Sequence, residues 1–197
     1  MISAATPDYR FKICLIGESG VGKTTFAHKG CGIDLIPGSI SSCGFWKTIS
    51  VGDRKIKLEF WDTAGQERYR ALAPMYFRGA DAVILCYSIT DRDSFEQIDH
   101  WFKMAIQHSN KSSLIFLIGN KIDLEESRTV TSEEGFSFAQ DRKMNFKEIS
   151  AKLGSGIEEL LLEIAAKLKD YYDTNLNKEQ NHTLPIQNKP TNTPKCC

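Results

Sequence analysis

The chain has 197 residues, with 25 Lys plus Arg balanced by 25 Asp plus Glu, which suits one ordinary domain and a tail, with a core that needs no disulfides or metals. Balanced charge gives no overall field toward nucleic acid or acidic lipid, so no nucleic-acid partner is expected and other partners must be found by local sites. The opening MISAATPDYR has no apolar run of signal-peptide length, and no stretch reaches the roughly 18 apolar residues of a membrane span, so a cytosolic chain is expected.

From Arg10 to Gly17, RFKICLIG is short, apolar and closed by glycine, as a buried strand of a parallel sheet would be. The segment Phe45 to Trp61 differs. There Ile56, Leu58 and Phe60 alternate with Lys57, Glu59 and Trp61 at the period of a half-buried strand, and Gly52-Asp53 reads as a tight hairpin turn. DAVILCYSI repeats the buried-strand signature. Ser94 with Gln97 then reads as a capping box, opening a helix with Phe95, Ile98, Phe102 and Ala105 on one face. SLIFLIG is another buried strand, Thr131 with Glu134 repeats the capping pattern, and NFKEI is a further strand. From Gly156 to Tyr172, Ile157, Leu160, Leu161, Ile164 and Leu168 form an apolar stripe opposite Glu158, Glu159, Lys167 and Lys169. The six cysteines are too few and too irregular for a disulfide scaffold or a paired-CxxC zinc site, and Cys14 and Cys86 read as inert core residues.

Strands alternating with helices, plus one antiparallel hairpin, predict an open α/β sheet with helices on both faces and ligands beyond the carboxyl ends of the strands. After about Asp173 the composition turns to Asn, Lys, Gln, Thr and Pro, too polar to offset ordering entropy, and a disordered tether is expected. The domain boundaries so read are 8–172 and 173–197.

Gly17-Glu18-Ser19-Gly20-Val21-Gly22-Lys23-Thr24 matches G-x-x-x-x-G-K-T, directly after a predicted strand and at a predicted helix start. Its glycines let backbone N–H groups turn inward around phosphates, with the positive end of the helix behind them. Ser19, Gly20, Val21, Gly22, Lys23, Thr24 and Thr25 are the candidate phosphate-binding residues, with Lys23 spanning the β- and γ-phosphates and the Thr24 hydroxyl on Mg²⁺. Alone, this loop fixes a nucleoside triphosphate but not its base.

The base falls to Asn120-Lys121-Ile122-Asp123, which follows a strand at the ligand-binding edge. The Asp123 carboxylate can accept from both the N1–H and the exocyclic amine of guanine, where adenine would leave it unpaired. Sites built on such pairs reject the wrong partner by roughly 10⁴ or more. An ordinary Asx turn is the competing reading of this tetrapeptide alone. Ser150-Ala151-Lys152 follows NFKEI, and the Ala151 N–H is a candidate donor to guanine O6. Asp62-Thr63-Ala64-Gly65-Gln66 ends the alternating strand. Asp62 can hold Mg²⁺ through water, the Gly65 N–H can meet the γ-phosphate, and Gln66 can orient the attacking water, since a carboxamide donates and accepts at once.

GESGVGKT, WDTAGQE, NKID and SAK, in this order and spacing, resemble the Ras-like small GTPases over about residues 8 to 172. KLEFWDTAGQERYRALAPMYFRGA is similar to the Rab branch, which acts in vesicle traffic, and RALAPMYFRGA within it to the endosomal members. The resemblance implies the P-loop NTPase (small G-protein) fold, an α/β fold with a six-stranded, mostly parallel sheet. It implies a monomeric GTPase that binds GTP or GDP with Mg²⁺, hydrolyses slowly, and gains roughly 10³ to 10⁵ in rate from a partner's arginine finger. The partners implied are a guanine nucleotide exchange factor, a GTPase-activating protein, a GDP-dissociation inhibitor or escort protein, and effectors. Tails of this family that end in two cysteines carry geranylgeranyl groups, which implies lipidation of Cys196 and Cys197. Two lipid chains give stable anchoring where one does not. The cytoplasmic face of intracellular membranes, endosomal ones included, with a cytosolic pool, is the location implied.

Switch I departs from the family. Read back without gaps from Lys57, the usual Thr is replaced by Ser39, whose hydroxyl keeps the ability to ligate Mg²⁺. The interval from Thr24 to Ser39 is a few residues shorter than the family's, Ile33 stands where a Phe would stack on guanine, and Ser41 or Ser42 takes the metal role if the register differs. Residues 30–45 are expected to order only in part with GTP. Two other functions stay open: a scaffold of the same fold that holds nucleotide without cycling, and another P-loop enzyme such as a kinase.

Overall fold

The computed structural model describes residues 6–32, 45–62 and 73–181, with side chains as far as residue 175. Among the described residues, six strands form one sheet in the order β2-β3-β1-β4-β5-β6. They are β1 (Tyr9–Ile16), β2 (Phe45–Val51), β3 (Arg54–Asp62), β4 (Ala82–Ser88), β5 (Leu114–Asn120) and β6 (Asn145–Ile149). The expected hairpin is present: β2 and β3 are antiparallel, with Val51 opposite Arg54 across Gly52-Asp53. Every other neighbouring pair is parallel, with Ile13 registered on Phe60 of β3 and on Ala82 of β4.

Side-chain alternation divides the core between the two sheet faces. Ile13, Leu15, Ile84, Phe116 and Ile118 point to one face, where α1 (Lys23–Cys31) and α6 (Ile157–Asn181) cover them with Phe26, Leu160, Leu161 and Ile164. Cys14, Ile16, Val83, Leu85 and Leu117 point to the other, under α2 (Ala73–Phe77), α3 (Arg92–Glu96), α4 (Ile98–His108) and α5 (Ser132–Asp141). A central strand with both faces covered must be apolar throughout, and all seven residues of β4 are buried. In β3, Ile56, Leu58 and Phe60 are buried while the residues between them are not.

Two expectations need correction. The capping box read at Ser94 and Gln97 does not exist: Asp91 caps α3, its side chain accepting from Ser94 N–H at 3.2 Å, and Gln97 stands at the junction to α4. The Ser94 hydroxyl is buried instead, accepting from Ser88 N–H and donating to the Asp91 carbonyl. The capping box of Thr131 and Glu134 is present, with both reciprocal bonds. The second difference is the last helix, which runs to Asn181 rather than stopping at Tyr172. Local polar bonds carry it past the apolar stripe: Lys169 pairs with Asp173 at 2.9 Å, and Thr174 and Asn175 donate to carbonyls four residues back. Tyr9 fastens that end by donating to Asp173 at 2.8 Å, and Tyr172 packs edge-on against Tyr9 and Phe11.

The order of strand addition reverses at β1, with β3 on one side and β4 on the other, all three parallel. Ligands bind at the carboxyl edge of such a switch point. The segments that leave that edge, after Ile16, Asp62, Asn120 and Ile149, are the ones that carry the sequence motifs.

Candidate nucleotide-binding site

The loop from Gly17 to Gly22 lies flush against neighbouring strand ends. A Cβ on Gly17 would stand 2.1 Å from the Cys86 carbonyl oxygen in β4, and one on Gly22 would stand 2.3 Å from Asn120 Nδ2. Both glycines also hold positive φ, 148° and 98°, which side-chain-bearing residues rarely adopt. Helix α1 begins with no side-chain cap and no acidic residue in its first turn, so its positive end faces the loop uncompensated by its own side chains. Lys23 is only 4% exposed, and its ammonium donates to the carbonyls of Gly17 at 2.8 Å and Glu18 at 2.6 Å, which centres the charge within the loop. Ser19 and Gly20 form the exposed tip, Val21 is buried beneath it, and Thr25 is half-buried on α1. Cys86 lies under the loop, its thiol 3.9 Å from the Val21 carbonyl oxygen. Burial pushes that thiol up to about 12, which Lys23 and Lys121 only partly oppose, so it stays protonated and inert.

Asn120 joins the segments that follow β5 and β6 to this loop. Its Nδ2 donates to the Val21 carbonyl at 2.8 Å, while its Oδ1 accepts from Lys121 N–H at 2.8 Å and from Ala151 N–H at 2.9 Å. One fully buried carboxamide therefore ties three segments together through its donor and both acceptor positions. Lys121 takes a left-handed backbone, φ 73°, and a 3-10 turn spanning Ile122–Ser127 follows it. Asp123, at the start of that turn, accepts from the Ser150 hydroxyl at 2.6 Å, and Ser150 Oγ in turn accepts from Leu153 N–H. The Ser150 hydroxyl occupies a lone pair of Oδ1 alone, which leaves the chemistry of the second carboxylate oxygen available to a ligand. Lys152 is exposed beside them.

At the other end of the loop the Thr24 hydroxyl donates to Asp62 Oδ2 at 2.5 Å. These are hard oxygen donors, the kind Mg²⁺ selects, at the mouth of a phosphate loop. Among the described residues no group of three His, Cys, Asp or Glu side chains converges. Ser39, Gly65 and Gln66, with the alternatives Ser41 and Ser42, and the lipidation candidates Cys196 and Cys197, lie outside the described residues.

The sequence reading missed two partners of the site. Glu18 accepts from Trp101 Nε1 at 3.0 Å, binding the loop to α4, and Arg128 braces the turn that carries Asp123. Glu18 and Trp101 lie 83 residues apart and Arg128 reaches Glu148 20 residues on, so no local pattern announces these contacts, although Arg128 with Glu125 is itself a local i,i+3 charge pair.

A parallel sheet with a glycine loop around a buried lysine, and a carboxylate held ready beside it, defines a P-loop nucleotide-binding protein. The Ras family model matches residues 12–170. The Ras-related protein Rab-5A of Dictyostelium discoideum is 38% identical over 193 residues, 96% of each chain. Human Ras-related protein Rab-30 is 36% identical over 194 residues, again 96% of each. Ras-related protein SEC4 of Candida albicans is 37% identical over 171 residues, 85% of this chain and 81% of that protein. The chain belongs to the Ras family of small GTPases, in its Rab branch. It is accordingly a GTP hydrolase that binds GTP and GDP, of the kind that serves vesicle traffic on intracellular membranes. No helix among the described residues is long and apolar enough to cross a membrane.

Proposed function

We propose that this protein is a slow molecular switch that cycles between GDP and GTP, with Mg²⁺, and recruits effectors to endosomal membranes while in its GTP form. The observation that carries this reading is the Asn120 side chain, which spans from the phosphate loop at Val21 to the base loops at Lys121 and Ala151. Such a bridge sets the distance between a phosphate site and a base site, as a guanine nucleotide requires. Lys23 leaves its loop carbonyls for the β- and γ-phosphate oxygens, and the N–H groups of Gly20 to Thr25 surround the remainder. Asp123 accepts from guanine N1–H and the 2-amine, and the Ala151 N–H, which donates to Asn120 Oδ1 here, would turn to O6. Thr24, Asp62 and Ser39 would hold Mg²⁺, which when bound neutralises charge developing on the phosphates. Gln66 orients water by donating and accepting together, and Gly65 N–H meets the γ-phosphate.

An exchange factor empties the site, a GTPase-activating protein supplies the missing positive charge, and a GDP-dissociation inhibitor or escort protein covers the prenyl groups on Cys196 and Cys197 in the cytosolic pool. Trp46 and Trp61 support an effector surface. Both are exposed on the outer face of β2 and β3, where Lys57 and Lys12 cover their rings at 5.0 and 4.4 Å. The deciding experiment is single-turnover hydrolysis of GTP with and without Mg²⁺, beside an ATP control and a Gln66→Leu variant. Slow, metal-dependent, guanine-specific turnover that falls in the variant is expected. GTP bound without turnover would move the protein to the non-cycling scaffold.

A further inference from the structure

Arg128 belongs to none of the nucleotide motifs, yet it closes a ring around the base-reading carboxylate. Its side chain is 16% exposed and every face of the guanidinium is engaged. Nε and Nη2 donate to the two oxygens of Glu125 at 2.7 and 2.8 Å, a forked pair. On the opposite side Nη1 and Nη2 donate to the two oxygens of Glu148 at 2.7 and 3.1 Å, and Nη1 also reaches the Val130 carbonyl at 2.9 Å. Only a planar guanidinium can serve two carboxylates at once in this way; an ammonium cannot.

What Arg128 joins matters more than how tightly. Glu125 lies two residues after Asp123 in the 3-10 turn, and Glu148 lies two residues before Ser150 on β6. Ser150 is the residue whose hydroxyl holds Asp123 Oδ1 at 2.6 Å. The path therefore runs from Asp123 through its own turn to Glu125, across Arg128 to Glu148, along the strand to Ser150, and back to Asp123. The turn it braces needs bracing, because Leu124 breaks the helical backbone with φ −110° and ψ 41°.

We propose that Arg128 is a positioning residue for guanine specificity: by clamping Glu125 to Glu148 it fixes the Asp123 turn against Ser150, so that one carboxylate meets two guanine donors at once. The proposal rests on the reading of Asp123 as the base reader. A single hydrogen bond to N1–H can re-form after a small swing of the carboxylate, whereas simultaneous bonds to N1–H and the 2-amine fix its orientation as well as its position. Loss of the clamp therefore falls on the 2-amine contact. Inosine nucleotides keep N1–H and O6 and lack that amine, so the ratio of GDP to IDP affinity isolates it.

The test measures GDP and IDP affinity and thermal unfolding for the full-length protein, Arg128→Met, Glu125→Ala and Asp123→Asn. Arg128→Met leaves the Glu148 carboxylate, 17% exposed, without its partner and risks the fold. Glu125→Ala keeps the half-buried Arg128–Glu148 pair and cuts only the link to the turn, at a side chain 64% exposed. In both clamp variants GDP affinity is expected to fall and IDP affinity to hold, lowering the ratio about threefold to thirtyfold, the coupling usual within one hydrogen-bonded network. Equal losses for both nucleotides, or an unchanged ratio in folded Glu125→Ala, would overturn the clamp's role. A wild-type protein that fails to prefer GDP over IDP, or an Asp123→Asn variant that keeps the preference, would instead remove the base-reading assignment and the clamp with it.

Discussion

Gly17 and Gly22 occupy the two ends of the same loop and should fail in different ways when given a methyl group. At Gly22 the new Cβ meets Asn120 Nδ2, a side-chain atom that can be pushed aside at the expense of the bridge it makes to Val21. Gly22→Ala is therefore expected to lower stability by about 1–3 kcal/mol through its left-handed backbone and, beyond that, to cost about tenfold in GDP affinity, roughly the value of one lost hydrogen bond. At Gly17 the Cβ meets a backbone carbonyl of a fully buried strand, which cannot yield. Gly17→Ala is expected to lower stability by about 3 kcal/mol or more, strain and overpacking together. Thermal unfolding beside nucleotide titration separates the two, and a Gly22→Ala protein with wild-type affinity would break the argument. At this scale the sequence announced a position: Lys23, Thr24, Asp62, Asn120 and Asp123 all stand at the carboxyl edge of the sheet. It did not announce that Asn120 bonds to Val21, that Ser150 holds Asp123, or that Arg128 ties Glu125 to Glu148. Those links depend on which strand ends become neighbours, and no local pattern encodes that.

Helix starts gave one correct reading and one wrong one, and the contrast is physical. Thr131 and Glu134 exchange both bonds of a capping box, so Thr131→Ala is expected to cost about 1 kcal/mol in chemical denaturation. Gln97 is exposed and takes no part in such a box, so Gln97→Ala should stay within about 0.5 kcal/mol of wild type. A loss at Gln97 equal to that at Thr131 would reinstate the Ser94 reading. The error arose because Asp91-x-x-Ser94 and Ser94-x-x-Gln97 are overlapping cap patterns, and only the first is chosen once Ser94 is buried against Ser88. Helix α6 ran past its expected end for a related reason. An apolar stripe marks the part of a helix that packs on a core, while the turn just past it is held by Lys169, Thr174 and Asn175, which resemble any polar linker until they are wound.

The whole molecule should be most stable at intermediate pH. Asp99 is held below the usual Asp value of 3.8 by Lys103 and Arg142, Glu125 below 4.5 by Arg128, and Glu134 below 4.5 by Thr131 N–H and Arg92. A depressed carboxylate contributes stability that is present above its unfolded pKa and lost as pH falls through the folded one, so the melting temperature should drop below about pH 4. Asp81 opposes this weakly, since burial raises it. On the alkaline side burial pushes the thiols of Cys14 and Cys86 from 9.0 up to about 12. The unfolded chain ionises there first, so stability should decline again from about pH 9. Melting curves across pH 3 to 10, with chemically intact protein recovered at each end, check both limbs, and a flat acid limb would remove the carboxylates' share. Mechanically, the molecule has a handle and a working end. Helix α6 begins beside the segment that carries Ala151, at the nucleotide edge, and its far part is fastened through Tyr172 and Asp173 to Tyr9, at the amino end of β1. Its 25 residues make a strut roughly 37 Å long. A force applied at the far end of this strut would therefore reach the domain from the edge opposite the nucleotide, leaving that edge free of the load.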